Sequence, residues 1–200
     1  MFHLIDEFEK KIALFTGAPY VITTDCCTHA IELCLIYKDI NRCSFTAFTY
    51  VSIIQTMIKL KIKYSLLDEV WQGEYNFKHT NIWDSALCLQ PNMYKKGQLQ
   101  CLSFGYGKPL NIGRGGAILL DNKRDYIILK NMRYDGRDLS ITPWNEQKIF
   151  FPGYHYKLNP EECAKGIIEL ENYISKKNFT IKTKKYPDCR NLKFVYDLDR

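Results

Sequence analysis

The chain has 200 residues, of which 46% are hydrophobic and 25% charged, and a formal net charge of +6. That length can bury a sizeable core, and those fractions exclude the disordered and fibrous classes. No apolar run approaches membrane-spanning length and "MFHLIDEFEKK" lacks a signal-peptide core, so the expected setting is the cytoplasm, away from membranes.

The mild positive excess suits anionic small ligands. No arginine–aromatic recognition pattern or zinc finger is present, so nucleic acid is not an expected partner. Eight cysteines raise the question of a disulfide framework. Their placement answers it: Cys26 and Cys27 are adjacent, Cys34, Cys88 and Cys163 sit in apolar-patterned segments, and there is no C-x-x-C pair. With the four histidines scattered, buried reduced thiols are expected, and no metal site.

In chain order, Ile5, Phe8, Ile12 and Phe15 recur at helical spacing and Gly17 stops that helix. "YVITT" (20–24) reads as a strand, "THAIELCLIYK" (28–38) as a helix and "RCSFTAF" (42–48) as a strand. "VSIIQTMIKL" (51–60) reads as a helix, followed by strand-like "IKYSLLD" (62–68), "NIWDSALCL" (81–89), "LQCLSF" (99–104) and "GGAILLD" (115–121). The strongest helix signal is "LNPEECAKGIIELENYISKK", with Asn159 as N-cap, Pro160 at the first helical position and Glu162 in the first turn. This alternation predicts an α/β fold: three layers, α/β/α, with a mostly parallel sheet covered on both faces. One domain over 1–175 and a short basic tail over 176–200 complete the expected organisation, because no further apolar-periodic block follows.

Ligands in such sheets gather at the carboxyl ends of strands. Four features fall there: "DCCTH" before a helix, "FTAFTY" after a strand, Asp84 in "NIWDSA", and the turn Ser103 to Lys108. Singly, each has a plain structural reading: Thr28 as a helix cap, Tyr50 as a core aromatic, Asp84 as a turn residue, Lys108 as a solvated cation. Gly107-Lys108 is followed by Pro109, so this is no Walker loop. The later glycines run into "AILLD" where a dinucleotide fingerprint needs a helix.

Taken in order, these blocks resemble the DegT/DnrJ-type nucleotide-sugar aminotransferases, which have the aspartate-aminotransferase fold and use pyridoxal 5'-phosphate (PLP). The likeness runs from "FEKKIALFTGAPYVITTDCCTHAIEL" through "AFTYVS", "WDSA", "SFGYGK" and "GRGGAILLD" to "RYDGRD" and "GYHYKLNPEECAKGIIEL". It implies that Lys108 forms an imine with PLP and then moves the proton during amino transfer. It implies that Asp84 faces the pyridine nitrogen and keeps it protonated, and that Tyr50 stacks on the ring. Ser103, Thr28 and the backbone amides at Cys27 and Thr28 are implied to hold the phosphate at the start of the 28–38 helix. The "GYHYK" loop implies a homodimer with shared sites, in which His155, with Lys157, reaches the other chain's cofactor phosphate.

The activity so implied takes an amino group from an amino acid, glutamate being the expected donor, and passes it to a nucleotide-linked keto sugar. The alternative is a reduced PLP-binding or interaction protein of the same fold, inactive alone or completed by another chain. Dehydration of a nucleotide sugar is disfavoured, since the relatives that do it replace the lysine with histidine. Against the family pattern the chain is expected to lack the usual N-terminal lead-in, Cys26-Cys27-Thr28 stands for the usual Ser-Gly-Thr block, and further departures follow. The small C-terminal domain is largely absent, a strand–helix unit between "YNF" (75–77) and "NIWDSA" is missing, Leu87 stands where Gln or His is usual, and Lys157 replaces an arginine. Arg133, Asp135 and Arg137 in "RYDGRD" are read as shaping a surface loop, with substrate contact as the other possibility.

Overall fold

The structure, a computed structural model, describes residues 3–138, 140–141, 143–148, 150–181, 183 and 185–193. Helix α1 (His3–Thr16) buries Ile5, Phe8 and Ile12 on one stripe and ends at Gly17, whose φ of 74° carries the chain into β1 (Tyr20–Thr24). Then follow α2 (Cys27–Tyr37), β2 (Arg42–Thr46), α3 (Val51–Lys59) and β3 (Lys63–Leu67). Strands β4 (Tyr75–Asn76), β5 (Ile82–Asp84), β6 (Leu99–Ser103) and β7 (Gly116–Leu120) precede α4 (Lys123–Met132) and α5 (Pro160–Ser175). The start of α5 carries the expected capping box, Asn159 with Glu162, and proline in its first turn.

The main sheet has the order β1-β7-β6-β5-β4, with β2 and β3 pairing in parallel beside it. It is mixed. Only β5 and β6 pair in parallel within it, whereas β1–β7, β6–β7 and β4–β5 are antiparallel. Its antiparallel pairs come from two strands, β4 and β7, that run against β1, β5 and β6, and for β7 the reason is topological. Parallel neighbours need a long crossover, and the 104–115 loop joins β6 to β7 without a helix, so β7 returns beside its predecessor. Strands β1, β5 and β6 nevertheless run one way, which gathers their carboxyl ends on one edge.

Successive residues of a strand face opposite sides, and the core divides accordingly. Ile22, Cys101, Ile118 and Leu120 enter one cluster with α2, α3 and α4 residues. Val21, Leu102, Ala117 and Leu119 enter the other, with Phe8 and Ile12 of α1 and Cys163 and Leu170 of α5. This is the three-layer arrangement.

Two elements were not anticipated. Helix α4 is capped by Asn122, whose side chain accepts from the N–H groups of Arg124 and Asp125. Strand β4 forms a short hairpin with β5, Tyr75 opposite Asp84. Arg133 corrects an expectation. It lies in no surface loop: it is fully buried, pairs with Glu9 of α1 and donates to the Thr23 carbonyl at 2.7 Å. Asp135 and Arg137 do stay near the surface, 3.5 Å apart. All eight cysteines are free thiols, and six of them are buried.

Candidate active site

Six of the seven residues singled out in the sequence line a single cavity of about 390 Å³: Cys27, Thr28, Tyr50, Asp84, Ser103 and Lys108. That volume lies in the usual range for a small-molecule site. The strand ends explain the gathering. Asp84 closes β5, Ser103 closes the adjacent parallel β6, and α2 begins just past β1.

The floor of the cavity is built around Asp84. This buried carboxylate accepts the Tyr75 hydroxyl at 3.0 Å and the Ala86 N–H at 3.0 Å. The Tyr75 oxygen in turn lies 2.7 Å from the Thr49 hydroxyl. Burial raises the Asp84 pKa, while the Ala86 N–H, the Lys108 charge and the Tyr75 hydroxyl pull it back. Among the described residues Asp84 forms no ion pair.

The first turn of α2 borders the same cavity and has the polarity that suits an anion. Cys26 is its N-cap and accepts from the His29 N–H. The first N–H groups of a helix have no carbonyl within it, and the helix dipole adds positive potential there. Thr28 places its hydroxyl 2.7 Å from Ser52 at the start of α3. Gly116 lets β7 approach the start of α2, because a Cβ there would fall 2.5 Å from the Cys27 nitrogen. Gly115, at φ 104°, donates its N–H to the Asp25 carbonyl and ties β7 to the same turn. Burial, reinforced by the Asp84 charge, raises the Cys27 pKa well above its ordinary value, so its thiol stays neutral.

Lys108 sits in the 104–115 loop, which is closed at its base by a bridge between Gly105 and Gly113. Tyr50, the N-cap of α3, is 57% exposed and lines the cavity.

His155 is the exception. It is exposed, outside the cavity, and paired with Asp135 at 3.1 Å. Lys157 lies nearby, its Nζ 4.2 Å from the centre of the Tyr134 ring. A larger cavity of about 590 Å³ opens in that region, between α4 and the 133–157 segment, and contains none of the six residues above.

Sequence reasoning missed several lining residues: Thr49, Ser52, Trp71 and Tyr186, with Tyr75 beneath the floor. Tyr75 would have been found from the hairpin that sets it opposite Asp84. Tyr186 carries no local signal, since it comes from the tail.

The sequence profile of the DegT/DnrJ/EryC1/StrS aminotransferase family matches residues 2–82 and 92–183. Among solved structures, the chain is similar to the sugar aminotransferase CalS13 from Micromonospora echinospora, with a TM-score of 0.71 and 16% identity over 86% of this chain and 61% of that one. A DegT DnrJ EryC1 StrS aminotransferase from Brucella abortus gives a TM-score of 0.70 and 15% identity, covering 86% of this chain and 59% of that one. DesI, crystallised in the presence of its TDP-sugar product, gives 0.69 and 16%, covering 86% and 54%. At these identities the likeness is one of fold, and the chain spans a little over half the length of those proteins. No curated protein matches the chain in sequence.

Proposed function

The chain belongs to the DegT/DnrJ/EryC1/StrS aminotransferase family, and on that premise we propose that it is a PLP-dependent aminotransferase acting on a nucleotide-linked keto sugar, with glutamate as donor. The observation that carries this reading is a single cavity bounded by an amine, a buried carboxylate, an aromatic side chain and a helix N-terminus. Those four features fit PLP group by group: aldehyde, pyridine nitrogen, ring face and phosphate.

Lys108 is the covalent tether and Asp84 the partner of the ring nitrogen. When bound, PLP supplies an electron sink for the charge released at the substrate carbon. The chain's own residues do the rest. Asp84 is held in one orientation by Tyr75 and the Ala86 N–H. Its raised pKa reflects a buried carboxylate awaiting a cation, and a protonated ring nitrogen supplies that cation. Thr28, Ser103 and the N–H groups of Cys27 and Thr28 hold the phosphate. The Lys108 amine, when not engaged as the tether, would be the base that moves the proton. Tyr50 would supply an aromatic surface for the ring.

The reading extends to a homodimer in which His155 and Lys157 reach the phosphate of the neighbouring site. The exposure of His155, away from its own chain's cavity, agrees with that role. No helix among the described residues is long and apolar enough to cross a membrane, and the cytoplasm is the proposed location.

The test is a visible spectrum of the protein with PLP, before and after glutamate, followed by borohydride reduction and peptide mapping. The expected result is an absorbance band that glutamate bleaches, with the cofactor's mass fixed on the Lys108 peptide by reduction. No band, or a label elsewhere, overturns the proposal. A band that glutamate leaves unchanged supports a PLP-binding protein that does not turn over alone.

A further inference from the structure

Beyond the family-matched residues, which end at 183, a short segment returns to the cavity. Its anchor is Cys189, which is buried, donates its N–H to the Ala47 carbonyl at 2.9 Å and directs its thiol at the Thr49 carbonyl, 3.3 Å away. Arg190 clips the same turn to Asp188 and to Asp68 after β3. Both anchors lie on the loop after β2 and on the end of β3, beside the cavity floor. The segment thereby delivers one aromatic side chain, Tyr186, to the cavity. Its ring stacks on Trp71 (centroids 5.7 Å apart, planes 14° apart) and meets the Tyr50 ring edge-on at 6.5 Å. Its hydroxyl oxygen accepts a long hydrogen bond, 3.4 Å, from the Lys108 amine.

The structure assigns Tyr186 as a positioning residue of this cavity: it orients and shields the Lys108 amine from a wall that the tail supplies. Three observations support this. Trp71, which backs Tyr186, is itself fixed by donating its Nε1–H to the Phe48 carbonyl at 2.6 Å, so the phenol is presented on a rigid support. Burial, with the charge of Asp84 adding to it, pushes the Tyr186 pKa up to about 12, so the hydroxyl stays protonated and neutral beside the amine. Tyr186 also stands close to the other groups that share the cavity with Lys108, of which Cys26, Cys27, Tyr50, Asp84, Tyr106 and Arg114 are titratable or charged. An amine held among these groups by a neutral acceptor keeps its ammonium form more readily than one without it, and is screened from reagents in bulk water. The functional consequence, a lysine aimed at an incoming aldehyde, rests on the proposed cofactor chemistry. The orientation and shielding do not.

Lys108 reactivity in cofactor-free protein therefore gives the test, separate from any PLP measurement. Acetic anhydride labelling across a pH series, read by peptide mass spectrometry, compares the parent with Tyr186→Phe and Tyr186→Ala, using Lys63 and Lys165 as internal references. In Tyr186→Phe the Lys108 rate at fixed pH should rise about threefold, the worth of a modest hydrogen bond, with the midpoint of its pH profile displaced downward. Tyr186→Ala should raise the rate further by opening the wall. Reference rates unchanged between proteins certify the fold, and the conservative phenylalanine variant keeps the stacked ring if the alanine variant unfolds. A Lys108 rate and midpoint in Tyr186→Phe equal to the parent's, or a midpoint displaced upward, overturns the assignment. Failure of PLP to bind the parent would overturn the aminotransferase reading and leave this result standing.

Discussion

Glu9 and Asp84 are two carboxylates shut away from water, 4% and 5% exposed, on opposite faces of one sheet. Glu9 is saturated from within: Arg133 is its counter-ion, and the Thr23 N–H and hydroxyl donate to it at 2.8 and 2.9 Å. Among the described residues Asp84 receives hydrogen bonds only from neutral donors, Tyr75 and Ala86, and it fronts a cavity. Burying a charge is costly unless it is paired, so an internally balanced carboxylate serves the fold, while an unbalanced one at a cavity wall is kept for a visitor. The difference sets the structural acid, Glu9, apart from the one proposed to act on a ligand, Asp84.

The largest effect should come from breaking the balanced side. Arg133→Ala leaves Glu9 ionised and unpaired in the core, at a cost of about 3–5 kcal/mol, to be read from urea unfolding. Arg133→Met combined with Glu9→Gln should recover most of that loss. A single-variant cost no greater than that of an exposed substitution would mean the pair is not what seals α1 to β1.

The next test acts on the unbalanced side. Asp84→Asn should keep PLP but slow the glutamate half-reaction about a hundredfold, the scale of losing one electrostatic partner at a reacting centre. Stopped-flow absorbance measures it, and an unchanged rate would remove Asp84 from the proposed role. The same variant sharpens the comparison through pH. Because the folded pKa of Asp84 is raised, its favourable contribution is complete below the unfolded aspartate value and is lost as pH rises through the folded one. The parent without cofactor should therefore lose stability with rising pH across that window more steeply than Asp84→Asn.

A smaller effect is expected at the backbone contact that supports the anion end. Gly116→Ala forces a Cβ against the Cys27 nitrogen and should cost about 1–3 kcal/mol, as other overpacked sites do. Phosphate affinity should fall with it, measurable with inorganic phosphate by calorimetry. The smallest effect concerns a half-exposed pair. Burial works against the charge on His29, but its hydrogen bonds to Asp25 and Cys26 outweigh that and lift its pKa to about 9. The stabilisation is complete below pH ~6.5 and disappears as pH passes about 9. Discounted for solvent, it amounts to about 1 kcal/mol, visible as a melting-temperature difference from His29→Asn that closes in alkali.

Much of this was legible in the sequence, for physical reasons that differ by element. The apolar strand runs, such as Gly116–Leu120, and the helices α1, α2, α3 and α5 carry apolar surface that must be buried, and burial has few solutions. Helix α4 was missed because Ile127, Ile128 and Leu129 are contiguous, which obscures a helical face, though Asn122 followed by Asp125 was a readable start. Lys108 and Asp84 were found through a resemblance to known blocks. Their supports were not, because Trp71, Tyr75 and Tyr186 acquire meaning only when distant segments meet. The buried Arg133 was misjudged for the same cause: its partner lies 124 residues away.

The distribution of thiols has a practical side. Six sulfhydryls are sealed in the interior, and the remaining two, Cys26 and Cys27, border the ligand cavity. A mild alkylating dye will therefore find that mouth first, at Cys26, and the rate at which it attaches becomes a gauge of whether the cavity is occupied.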